Sequence, residues 1–499
     1  MTTTQINNLS DTQVKLLSAN QFAGLSTTQV ANLSTGKLSL LSAAQLAAFD
    51  TNDMAALTTS QKTGLGTAQL KALTAVQVGA MSADLVDSLT ATQFKQFSNT
   101  QIAALSTGAV AKLTATKVNE LTAAQIKSFT TTQVAALSTN VTGSLNTSSL
   151  AALSTTQVSV LATNVLANLT TTQTTALTTD QVKALNSASI TNFTTDQLKA
   201  LTTTQLQAVD VEDLNALSTT QIKLLTTNQI QSLKATQISG LSTAALSAMT
   251  TLQISNLKDA QVRALSTDQI SSLTTSQVNK LGTAQLAAMS TDDIVALSSS
   301  QVGALSTDQI SKLSLAHVQA LEASEIGGWT TTQVGALNTN QVKVLATADV
   351  AAIGTAIVAA LDTAQINALS DVSVAALNTS QVALLSTDQV AALSNQAIKA
   401  LSTDQVTTLG TKLSSFGTSQ LRLLSTDVVA SLSSAQISDL STTQIKSLTA
   451  TQIAAMSTSA VSGLSTSDVA ALTTDQIKGM SSDLLRALST SNFNALSTD

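Results

Sequence analysis

The side chains best equipped for chemistry in this 499-residue chain are few and scattered. His317 is the only histidine and there is no cysteine, so no second histidine or cysteine exists to complete a metal site or a dyad with it. Two acidic pairs stand out, Asp292-Asp293 and Glu212-Asp213, the latter with Asp210 nearby. Carboxylates this close together can hold a hard cation or share a proton in acid–base work. Glu322 and Glu325 form a looser third pair, but no D-x-D-x-D-G loop and no G-G-x-G-x-D calcium repeat accompanies any of them. Trp329, the only tryptophan, follows Gly327-Gly328 and could anchor a partner if exposed, or fill a core if not. No catalytic, cofactor-binding or metal-binding residue is assigned from these groups, and the chain is not expected to be an enzyme.

The elements that position these groups are set by one period. A bulky apolar residue recurs every eighth position from Met1, Leu9 and Leu17 to Leu409; the next step, to Phe416, is seven, and the eight-residue step then resumes to Leu496. Leu385 to Ala392 (LSTDQVAA) is a representative unit, whose places are numbered one to eight. A continuous α-helix turns about 100° per residue, so leucines eight apart would spiral around it rather than share a face. In a strand, places one and six would point to opposite sides. The chain must therefore bend once per octad.

Ser or Thr at place two with Gln at place five has the spacing of a capping box, in which two side chains satisfy each other's free backbone donors at a helix start. Leucine at place one and Val or Ile at place six then become the N′ and N4 partners of a hydrophobic staple. Charge placement agrees independently. Of 29 acids, 26 lie at places two to five, Asp180, Asp268, Asp308, Asp388 and Asp404 among them. Of 23 bases, 17 lie at places seven or eight, including Lys71, Lys183, Lys223, Arg263, Lys446 and Arg486. A helix macrodipole sorts charges in this way. His317 occupies place five, where an imidazole can imitate the Gln cap, and Trp329 occupies place one, a core position.

These features predict an all-α fold: a solenoid of very short helices, one per octad, stacked into an elongated superhelical rod, with a β-helix-like solenoid as the alternative. Residues 1–499 read as one continuous array with a register slip at 409–416. Places one, six and eight are expected in the core, with places three, four and seven facing water. Lys62, Thr142 and Thr174, polar at place six, mark weak points. Two or three octads could close a coil, and no 16- or 24-residue super-period decides between them.

Composition narrows the function classes. The chain is 43% hydrophobic with a mean hydropathy of +0.25, too apolar for a disordered tract. A net charge of -6 without any basic run offers a nucleic-acid backbone little to bind. No stretch approaches the eighteen apolar residues of a membrane span, and Met1 to Asn8 carries no cleavable signal.

The units LSTDQVAA (385–392), LSTTQIKL (217–224) and LSTDQISS (265–272) resemble the octapeptide L-[ST]-T-x-Q-[VI]-x-x repeat arrays of large secreted or surface-associated proteobacterial proteins. The resemblance spans essentially the whole chain. It implies an extracellular or cell-surface structural protein of bacterial type, exported without a cleaved N-terminal signal peptide. Met1 already stands at place one and Asp499 in mid-octad, so neither end carries the atypical capping repeat that solenoids generally need. Head-to-tail or side-by-side assembly with copies of itself, into a filament, sheath or surface layer, is therefore the leading expectation, together with an adhesin stalk. The alternative is a binding module presenting a regular Ser/Thr face to a polysaccharide or to ice.

Overall fold

In the computed structural model the described residues are 1–496, the side chain of Asn164 apart. Among them are 61 short α-helices and no strand, so the β-helical alternative falls away. Each octad forms one helix that begins at place three, with the place-two residue as N-cap. Asn99–Ala104 is typical: Ser98 Oγ accepts from Gln101 N at 3.3 Å, and Gln101 Oε1 accepts from Ser98 N at 2.6 Å. The predicted capping box is thus present as both of its hydrogen bonds.

The corner between helices consists of places one and two in extended conformation. Leu105 has φ -56° and ψ 141°, and Ser106 has φ -67° and ψ 151°. Any L-residue adopts these angles, so corners of this kind need neither proline nor glycine. A bond from Leu105 N to Ile102 O, 3.2 Å, closes the helix end.

Two compact units are present, Met1–Met249 and Thr250–Asp499, built in the same way. Within each, a helix packs against the third helix along: Ala75–Gly79 against Asn99–Ala104 in the first, Ala450–Ala455 against Thr474–Gly479 in the second. Three octads, or 24 residues, therefore make one coil, which decides what the sequence left between two and three.

Places one and six are buried almost throughout, as expected, with Trp329 at 3% exposure among them. Place five, not place eight, is the third core position. Gln101, Gln157 and Gln389 are buried, whereas the alanines Ala104 and Ala392 at place eight are only half covered. The physical reason is that place eight flanks the contact between coils while place five points into it. Small residues still matter at place eight locally: a Cβ on Gly463 would collide with the carbonyl oxygen of Ser434.

At the register slip, the helix Thr403–Leu409 runs on through place one and ends at Gly410, whose φ of 56° is the only positive value among the described residues. A 3-10 helix, Gly410–Ser415, completes the shortened unit and keeps Leu413 buried. Without a Cβ, Gly410 enters this left-handed region at little steric cost. The coil spacing shortens by one residue here and then recovers, so the missing residue is absorbed within the turn.

Candidate functional site

The repeated joint between coils is built around the place-five side chain. Gln101 caps its own helix through Oε1, and its Nε2 donates to Leu70 O at 2.9 Å and Leu73 O at 2.6 Å, residues 31 and 28 positions earlier. Gln341 does the same in the second unit, with Ile310 O at 2.9 Å and Leu313 O at 2.8 Å. One primary amide thus satisfies a free N–H at one helix start and two carbonyls at the end of a helix in the preceding coil. Such orphan groups are what short helices have in excess. A buried amide whose donors and acceptor are all paired contributes stability, and removing it strands its partners at about 1–3 kcal/mol per group.

Glutamate fills a capping box as well as glutamine does, yet it stands at place five only once, at Glu325. That bias was the available sign of the second role. A carboxylate accepts the cap bond but has no hydrogen to send to the coil below. Other donors substitute where Gln is missing. Lys117 Nζ reaches Val86 O at 3.3 Å and also bonds Asp87 O. Lys412 Nζ reaches Ala383 O at 2.7 Å and Leu385 O at 2.8 Å across the shortened unit. Asn492 Nδ2 reaches Leu464 O at 2.6 Å.

His317 belongs to this series. It is buried, with Nε2 3.1 Å from Met289 O, so it reproduces the bridge between coils rather than the cap; its Nδ1 has no partner. The acidic pairs are split by the helix. Asp292 is exposed while Asp293 is buried and accepts from Ser290 N at 2.8 Å. Glu212 and Asp210 are exposed, whereas Asp213 is buried and accepts from Ser187 Oγ at 2.7 Å. Among the described residues, no group of three or more His, Cys, Asp or Glu is placed to hold a metal ion. Glu325 Oε2 accepts from Glu322 N at 2.5 Å, the capping variant its spacing suggests.

Burial raises the carboxyl pKa of Asp53, Asp213 and Asp349, all at place five, because the charged form loses hydration. At Asp213 the Ser187 hydroxyl works in the opposite direction, and the neighbouring Asp210 and Glu212 add to the rise. At place six, Lys62 is buried with Nζ 3.2 Å from Ala55 O, and burial lowers its pKa. Thr142 and Thr174 are buried too, but return their hydroxyls to their own helices, at Ser138 O (3.1 Å) and Thr170 O (3.0 Å). No described helix is long and apolar enough to cross a membrane.

Six segments, residues 46–83, 207–243, 256–283, 278–315, 342–379 and 450–482, match the family model described as "ALTTAQ repeat". No curated protein matches the chain. Among solved structures, a chain of "Homology model of the full-length AP-3 complex in an intermediate open conformation" is similar at 9% identity over 97% of this chain and 85% of that one, with a TM-score of 0.18. At that level the likeness bears on neither fold nor function. Geometry and family model together describe a helical solenoid of repeats similar to the ALTTAQ repeat.

Proposed function

We propose that this chain is an extracellular structural protein that stacks head to tail or side by side on copies of itself, in a filament, sheath, surface layer or adhesin stalk. The observation that carries the reading is the one-sided chemistry of the coil joint. Where place five is glutamine, as at Gln101 and Gln341, a coil sends amide donors toward the preceding coil and meets its carbonyl pairs. A surface of that kind is heterologous, and contacts of this type build open assemblies when they do not close into a ring. A bacterial cell-surface setting is supported by the resemblance of the octads to secreted arrays.

The reading predicts filaments or sheets of uniform width in electron microscopy of the purified chain across a concentration series. Isolated particles at every concentration would sink the self-assembly reading. They would favour the alternative, in which hydroxyls such as those of Thr171, Thr172, Thr203 and Thr204, all exposed, meet a polysaccharide or ice.

A further inference from the structure

The stretch around Trp329 concentrates departures from the repeat, and two of them fall on one coil joint. Of the three place-five residues in the octads that begin at Leu337, Leu345 and Ile353, only Gln341 carries an amide; the others are Asp349 and Ile357. Asp349 is 2% exposed, and its Oδ2 accepts the cap bond from Ala346 N at 2.9 Å. The carbonyls of Val318 and Leu321, which its place in the repeat would supply with hydrogen, receive no side-chain donor among the described residues. In the preceding coil the helix Ala323–Ile326 packs directly against Asp349's own helix, Thr347–Ala352. It brings Glu322 and Glu325 with it, and both raise the Asp349 carboxyl in addition to its burial.

We propose that the joint between Ala323–Ile326 and Thr347–Ala352 is an acid-closed switch: it opens locally near neutral pH and tightens when Asp349 takes up a proton. Protonation gives the buried carboxyl a hydrogen to donate toward the preceding coil, as the equally short Asn492 side chain does to Leu464 O, and removes a charge that Glu322 and Glu325 oppose. The remaining charged groups nearby do not cancel this. Asp371 lies on the helix Asp371–Ala375, which packs on the other side, Lys343 on the preceding helix and His317 on the helix before Ala323–Ile326. The sign follows from linkage: a carboxyl raised in the folded state binds a proton that the unfolded chain does not, so this joint gains stability as pH falls through the raised pKa, with the full gain below the ordinary value of 3.8.

Two probes read the joint in the full chain. Trp329, the only tryptophan, is buried directly beside it in sequence, with Nε1 unpartnered, so acrylamide quenching of its fluorescence reports local opening. Amide hydrogen exchange of residues 347–352, corrected for intrinsic rates, reports the same event. Between about pH 7 and about pH 4, quenching should fall, and exchange should slow by roughly tenfold for each unit of pKa difference. The joint beneath Gln389, where an amide already bridges to Val358 O, Ala359 O and Leu361 O, serves as internal reference and should not tighten. Asp349→Gln should show the slow exchange already at neutral pH and lose the pH response. The double change Glu322→Gln with Glu325→Gln, which keeps the cap acceptor at 325, should shrink that response. Exchange at 347–352 that does not change with pH, or an Asp349→Gln chain that keeps the full response, would overturn the proposal.

Discussion

Two coil joints in the second unit differ by one functional group. At Gln389 the amide caps Ser386 N at 2.8 Å and bridges to Val358 O, Ala359 O and Leu361 O at 3.2, 3.1 and 2.7 Å. At Asp349, five octads earlier, the cap bond survives and the bridge does not. The comparison separates two jobs that one residue usually performs. Capping is local and can be done by any acceptor of the right length. Bridging needs a hydrogen, and it is the bridge that links residues nearly thirty positions apart, so coil cohesion follows the donor. In a quasi-one-dimensional array each joint touches only its neighbours, so a weak joint is felt locally and does not average away.

The sharpest way to break the contrast is Gln389→Glu, which leaves the cap intact and removes the donor. It should cost about 2–4 kcal/mol, because the bridged carbonyls lose their partner and a charge is buried beside them. Hydrogen exchange at 387–391 would rise sharply while the rest of the array held; unchanged exchange would mean the bridge contributes nothing. Ser386→Ala tests the other job. Losing the hydroxyl that accepts from Gln389 N should cost about 1 kcal/mol, less than the loss of the donor, as measured by denaturant unfolding. A larger loss than in Gln389→Glu would reverse the ranking of cap and bridge.

A gain is expected at His317→Gln. The imidazole keeps only one bridging contact and leaves Nδ1 unpaired, so restoring an amide should add about 0.5–1 kcal/mol and raise the melting temperature slightly. The smallest effect should follow Asp388→Ala, which removes an exposed acid from the first helical turn: a few tenths of a kcal/mol, shrinking further in high salt.

Much of the helix detail was legible in the octad. The capping box, the staple and the charge split are all interactions within eight residues, and Asn99–Ala104 with its Ser98 cap matches the expectation bond for bond. Trp329 is in the core where place one put it. Place eight was misjudged because alanine is compatible with both a core and a flank, and composition alone does not separate them. Place five suggests a cap for the His317 imidazole because a cap lies within the octad, while the partner of its Nε2, Met289 O, lies 28 positions earlier. The candidate joint was likewise half visible: the preference for Gln over Glu was in the residues, but its reason lay in another coil.

By itself, then, the sequence determined where each helix starts, which end attracts which charge, and that the chain must bend every eight residues, because backbone donors near a helix start are satisfied within one turn. Only the tertiary structure decided that three octads close a coil, that glutamine is a core residue, and that the missing residue at Gly410 is taken up locally. Those outcomes depend on which distant carbonyls lie within a hydrogen bond of a side chain, and a strict eight-residue repeat looks the same whether its coil holds two units or three.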